Sequence, residues 1–187
     1  MAQHLNNKPT LVLMAGLPGS GKTTLAKALG RELHWPVLSK DLLKTWLLDM
    51  GLGMPDKDIG WIAYELLFAQ AEDILAQQRI SLILDTAAHL PFILEHTMGI
   101  ILSAEAEMQT ILCTADSRLR EERLIERVAS KQYPPFMIPM ESIIIKDELE
   151  YFQHLPPNIL RIDTSTSLED CLNETKYYLR QSGILFD

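Results

Sequence analysis

Residues 16–23 read Gly16-Leu17-Pro18-Gly19-Ser20-Gly21-Lys22-Thr23, between the apolar run Thr10 to Ala15 and the helix-forming stretch Thr23 to Leu33. A buried strand must end there and a helix must begin almost at once. The glycines at 16, 19 and 21 permit turns that side chains would obstruct, so successive backbone N–H groups can point inward around an anion. The turn delivers that anion to the positive end of the following helix. The spacing is that of G-x-x-x-x-G-K-[ST], the Walker A pattern. It predicts nucleotide phosphates bound by the loop backbone, Lys22 reaching the β and γ phosphates, and the Thr23 hydroxyl joining a Mg²⁺ shell. A glycine-rich turn that binds nothing is the bland alternative, and the strand and helix on either side argue against it.

Apolar runs and helical patterns alternate through the rest of the chain. Short strands are expected at Thr10–Ala15, Val37–Leu38, Ile80–Leu84, Met108–Thr114 and Ile159–Ile162. Helices are expected at Thr23–Leu33, Asp41–Met50, Ile59–Gln78, Pro91–Ser103, Asp116–Ser130, Ser142–His154 and Ser167–Gln181. Ser167-Leu168-Glu169-Asp170 has the form of a capping box. Tyr133–Pro139 carries three prolines and is expected to be irregular. Short apolar strands separated by helices predict an α/β fold whose parallel sheet is covered on both faces. The 187 residues suit one domain.

Composition narrows the function. Seventeen basic against 25 acidic side chains leave a formal charge of −8, which argues against a general nucleic-acid binder. No apolar run approaches the ~20 residues of a membrane helix, and no hydrophobic leader precedes the first strand. Cys113 and Cys171 lie far apart without metal-ligand spacing, which fits a reducing, cytoplasmic setting. The sequon Asn173-Glu174-Thr175 is a chance match in that setting.

Asp85 ends the run Leu82-Ile83-Leu84-Asp85, where an open α/β sheet binds its ligands. It could hold Mg²⁺ through water, orient a loop residue, or cap the next turn. Thr86 follows it where hydrolytic motor ATPases typically place a glutamate, and the guanine-binding Asn-Lys-x-Asp pattern is absent. Transfer to a hydroxyl needs a group that takes its proton. Asp41, at the end of Val37-Leu38-Ser39-Lys40-Asp41, is the candidate, expected beside the first strand end and facing the phosphates across a narrow gap. The alternative is an acidic residue favoured in a first helical turn. Lys40 is expected to be solvated rather than phosphate-bound. Trp46, Trp61, Tyr64 and Phe68 fall at helical spacings that usually mean core, and Glu65 is undecided. Any of the four aromatics could instead stack on an acceptor.

Arg120, Arg123, Arg127 and Lys131 fall within roughly an 80° sector of one helix. Leu124, Val128 and Ile125 form a packing face, and Arg118 pairs with Glu122. A one-faced arginine cluster in an acidic protein suggests phosphate recognition, above all by Arg123 and Arg127. The alternative is a solvated helix, with Asp116 serving Arg120. The proline-rich segment that follows could act as a short lid. His34, His89, His96 and His154 show no metal-ligand pairing, and His89 is the one best placed to act.

Gly16 to Thr24, Asp41, Asp85 and Leu119-x-x-x-Arg123-Leu124-x-x-Arg127 together resemble the small P-loop kinases of the polynucleotide kinase, chloramphenicol phosphotransferase, zeta toxin and gluconate kinase types. The resemblance implies a three-layer fold with a five-stranded parallel sheet in order 2-3-1-4-5. It implies ATP·Mg²⁺ as donor, bound by Gly16, Leu17, Pro18, Gly19, Ser20, Gly21, Lys22, Thr23 and Thr24. It further implies metal ligation by Thr23 and Asp85, Asp41 as base, and a lid at about 116–141 carrying Arg123 and Arg127. The loop at Asp163-Thr164-Ser165 would help form an adenine pocket. Thr86-Ala87-Ala88-His89 departs from the family pattern, and no Lys or Arg lies between Arg79 and Arg118. Both features lean towards a neutral or weakly charged acceptor. The expectation is phosphoryl transfer from ATP to a hydroxyl of a small molecule. A nucleic-acid end kinase and a nucleotide-switched binding protein are the rivals.

Overall fold

The computed structural model describes residues 8–86, 88, 90–129, 151–156 and 158–184. His89, Lys131, Tyr133–Pro139 and most of Ser142–His154 lie outside them, as does the side chain of Val128. So does the part of the expected lid beyond Ala129.

The chain runs β1 (Thr10–Ala15), α1 (Lys22–Leu33), β2 (Val37–Ser39), α2 (Lys40–Asp49), α3 (Asp56–Glu72), β3 (Leu82–Asp85), α4 (Pro91–Ser103), β4 (Glu107–Thr114), α5 (Ser117–Ala129), β5 (Leu160–Asp163) and α6 (Leu168–Gln181). The strands form one sheet in order β2-β3-β1-β4-β5, every neighbouring pair parallel. The order implied by the resemblance is the one observed.

β1 is buried along its whole length, and its two faces meet different layers. Leu11, Leu13 and Ala15 pack with Leu67, Phe68 and Leu75 of the α3 layer and Ile93 of α4. Val12 and Met14 pack with Leu25 and Leu29 of α1 and with Cys171 and Leu179 of α6. Each such aliphatic side chain contributes about 1.5–3 kcal/mol by leaving water. A central parallel strand therefore reads as a continuous apolar run rather than an alternating one.

Several boundaries differ from expectation for local reasons. α3 starts at Asp56, directly after Pro55, with Asp56 and Asp58 in its first turn, where the macrodipole favours acids. It runs into a π-helical turn at Asp73–Gln77, which the uninterrupted apolar spacing does not signal. The Ser167 hydroxyl accepts from the Asp170 N–H at 3.1 Å, and donates to the Asp170 carboxylate at 2.7 Å. Tyr64 and Phe68 enter the core as expected, whereas Trp46 and Trp61 remain 62% and 52% exposed. Ile125 is likewise exposed rather than packed. No described helix is long and apolar enough to cross a membrane.

Candidate active site

All five strands end on one edge, and the connections to α1, α2, α4, α5 and α6 leave from it. Between Ala15 and Lys22 the chain forms the phosphate loop, with Gly16, Gly19 and Gly21 at φ 146°, 79° and 80°. Gly19 has a second constraint, because a Cβ there would stand 2.5 Å from the carbonyl oxygen of Arg120. The first turn of α5 therefore rests directly on the loop.

A cavity of about 490 Å³ opens beside the loop. Its lining includes Gly21, Lys22, Thr23, Arg123, Arg127 and Thr164. The two arginines expected to meet phosphate both reach this space. Arg123 also does something that spacing along one helix could not show. Its Nη1 donates to the Thr164 hydroxyl at 2.9 Å and, more weakly, to the Gly19 carbonyl at 3.3 Å, while Nη2 donates to the Thr164 carbonyl at 2.7 Å. The Thr164 hydroxyl in turn donates to the Ser20 carbonyl at 2.9 Å. Arg123 and Thr164 thus join α5, the phosphate loop and the β5–α6 connection into one cluster. Arg118 pairs with Glu122 at 3.1 Å, as its spacing predicts.

On the other side of the loop, Asp85 is 4% exposed. β2 and β3 are in register at Ser39 and Asp85, and the Ser39 hydroxyl donates to Asp85 Oδ2 at 3.1 Å. Ser39 was not singled out from the sequence. Its only signal there is a hydroxyl at a strand end beside a strand that ends in a carboxylate. Burial raises the Asp85 carboxyl above the usual range, against the Lys22 charge and hydrogen bonds from Thr23 and Ser39, while Asp41 pushes it further up. Asp85 Oδ1 has no hydrogen-bond partner among the described residues. A buried carboxylate oxygen left free beside the Thr23 hydroxyl is an oxygen-donor set that suits Mg²⁺, a cation that takes few protein ligands and completes its shell with water and phosphate. Among the described residues no three His, Cys, Asp or Glu side chains cluster as a metal cage.

Asp41 does not stand beside the first strand, because β3 lies between β2 and β1. It occupies the first turn of α2 with its side chain 51% exposed and 3.4 Å from Lys40 Nζ. It follows the end of β2, at the same sheet edge as the phosphate loop, and its charge is felt by both Asp85 and Tyr64. Lys40 is partly buried rather than solvated, with Nζ 5.2 Å from the centroid of the Tyr64 ring. The Tyr64 phenol is raised above its ordinary value, mainly by burial and also by Asp41, with the nearby Thr86 hydroxyl opposing the rise. From Tyr64 the aromatic contacts continue outward to Phe92 at 5.2 Å and from Phe92 to Trp61 at 5.4 Å. His96 and His154 are each engaged by a backbone carbonyl, of Phe92 and Ala88 respectively.

The family model described as an AAA domain matches residues 11–143. Among solved structures, a candidate kinase from Chloroflexus aurantiacus superposes with a TM-score of 0.73 at 26% identity, over 94% of this chain and 98% of that one. The APS kinase of Mycobacterium tuberculosis, in complex with AMPPNP and APS, gives 0.62 at 19% identity over 92% and 98%. A gluconokinase from Sinorhizobium meliloti gives 0.59 at 16% over 94% of each chain. No curated protein matches the chain.

Proposed function

Because this chain belongs to the AAA domain family and has the fold of the P-loop kinases, we propose that it transfers the γ-phosphoryl group of ATP to a hydroxyl of a small molecule. The observation that carries this reading is that Lys22 and Thr23 after β1, Asp41 after β2 and Asp85 at the end of β3 stand at one sheet edge, with Asp85 Oδ1 unpartnered among the described residues.

The loop backbone and Lys22 hold the phosphates, and the nucleoside lies in the cavity towards Arg123, Arg127 and Thr164. Bound between Thr23, Asp85 and the phosphates, Mg²⁺ would supply charge neutralisation for the β and γ oxygens. The acceptor enters from the α2–α3 side, past Trp61, Phe92 and Tyr64. Asp41 takes the proton of its hydroxyl as the new O–P bond forms and the bond to the β-phosphate oxygen breaks, leaving ADP. Arg127 balances charge on the moving phosphoryl group, while Arg123 fixes the wall it moves along. The aromatic approach, together with the absence of Lys and Arg between Arg79 and Arg118, favours a neutral or weakly charged acceptor.

Product formation from ATP·Mg²⁺ and a metabolite pool tests this reading, with the wild type compared against Lys22→Ala and Asp41→Asn. A phosphorylated metabolite lost in both variants supports it. Release of free phosphate alone, at a rate insensitive to Asp41, defeats it.

A further inference from the structure

One member of the α5 arginine stripe has no part in the site as described. Arg120 is 4% exposed, and its Nε and Nη1 are buried without a hydrogen-bond partner among the described residues. A guanidinium stays charged throughout the range in which proteins fold, and a buried charge without compensation is strongly unfavourable. The nearby acids are committed elsewhere. Asp116 Oδ1, one turn back, accepts from the Leu119 N–H at 2.9 Å, and Glu122 pairs with Arg118. The contact of Arg120 with the phosphate loop at Gly19 is made by its backbone, not by the guanidinium. On the helix, Arg120 lies roughly 20° from Arg127 and 60° from Arg123, the two that line the nucleotide cavity.

A buried cation with free donors beside a phosphate loop is a site waiting for negative charge. We propose that Arg120 binds an oxyanion of the bound ligands: an oxygen of the terminal phosphoryl group of the nucleotide or, where the acceptor is weakly charged rather than neutral, of its anionic group. It is a third arginine of the reacting complex, and the inference rests on the kinase reading above. The cost of the unpaired charge falls on the free protein and is relieved only when ligand arrives. Arginine suits this task because its planar fork donates to two oxygens at once.

The test uses the full chain with Arg120→Met, which keeps an apolar stem without charge, and Arg120→Lys. Thermal unfolding is followed alone, with inorganic phosphate, with ADP, with a non-hydrolysable ATP analogue, and with that analogue plus inorganic phosphate. Free Arg120→Met is expected to melt at or above the wild type, because removing an unpaired buried charge is neutral or stabilising. If the nucleotide supplies the oxygen, the variant binds the ATP analogue roughly tenfold or more weakly while its ADP affinity is unchanged. If the acceptor side supplies it, both nucleotides bind normally, but phosphate stabilises the analogue-saturated wild type and not Arg120→Met. Arg120→Lys recovers part of either effect. An Arg120→Met protein that melts several degrees below wild type with every ligand response intact would overturn the inference in favour of a structural role. Intact responses with unchanged melting would overturn it as well. A wild type indifferent to all nucleotides would instead sink the kinase reading. The phosphate response of the free protein then decides Arg120 on its own.

Discussion

Arg123 Nη2 donates to the Thr164 carbonyl at 2.7 Å, which ties α5 to the β5–α6 connection in the lining of the cavity beside the phosphate loop. Together with the Nη1 bonds to Thr164 Oγ1 and Gly19 O, it makes one side chain responsible for the spacing of two cavity walls.

Lysine cannot reproduce that fork. Arg123→Lys is therefore expected to weaken ADP and ATP binding alike, by about tenfold, and to lower stability by about 1–3 kcal/mol. Calorimetric titration with both nucleotides checks this. A loss confined to ATP would mean that Arg123 acts on the γ-phosphoryl group instead.

Gly19 combines a left-handed backbone with the Arg120 carbonyl oxygen 2.5 Å from where a Cβ would stand, well inside contact distance. Gly19→Ala is expected to cost about 1–2 kcal/mol for the left-handed residue alone. It should cost more because the new methyl group drives the α5 turn away from the loop. Denaturant unfolding and nucleotide affinity should both suffer. Wild-type values for both would show that α5 and the loop are not mutually constrained.

Tyr64 links the electrostatics of the acceptor side to pH. Its folded pKa is raised, so the native state keeps the phenolic proton longer than the unfolded chain does. Any stability that comes from the neutral phenol is complete below the ordinary value of 10.0 and is lost as pH rises from there through the folded value. Tyr64→Phe should therefore lose less stability than wild type across that alkaline window. Asp41 contributes to the shift as a like charge, so in Asp41→Asn the Tyr64 phenol should ionise at lower pH. Absorbance titration, with Tyr64→Phe identifying the transition among the five tyrosines, reads this directly. An unchanged transition in Asp41→Asn would separate the two residues.

What the chain announces in advance follows from the range of the interactions involved. β1 and the phosphate loop were legible because strand, turn and helix onset occupy consecutive residues under strict steric rules. Pro91–Ser103 was bounded by its own proline. Helical spacing found the α5 arginines, but it could not show that Arg123 reaches residues 41 and 104 positions away in sequence. It also could not show that Asp116 caps Leu119 instead of serving Arg120. The same limit applies to Trp46 and Trp61, because periodicity finds an apolar face without saying what covers it. The strand order came through resemblance, since apolar runs carry no information on which strand lies beside which. That gap put Asp41 beside the first strand in expectation, whereas β3 stands between them.

Phosphoryl transfer with Asp41 as base is tested by turnover of γ-labelled ATP·Mg²⁺ into a fractionated small-metabolite extract by wild type, Lys22→Ala and Asp41→Asn. A labelled metabolite is expected, reduced on the order of 10²-fold or more by loss of Lys22. Loss of the Asp41 carboxylate should reduce it by roughly 10²–10⁴-fold, with nucleotide affinity retained. Near-normal transfer by Asp41→Asn would contradict it.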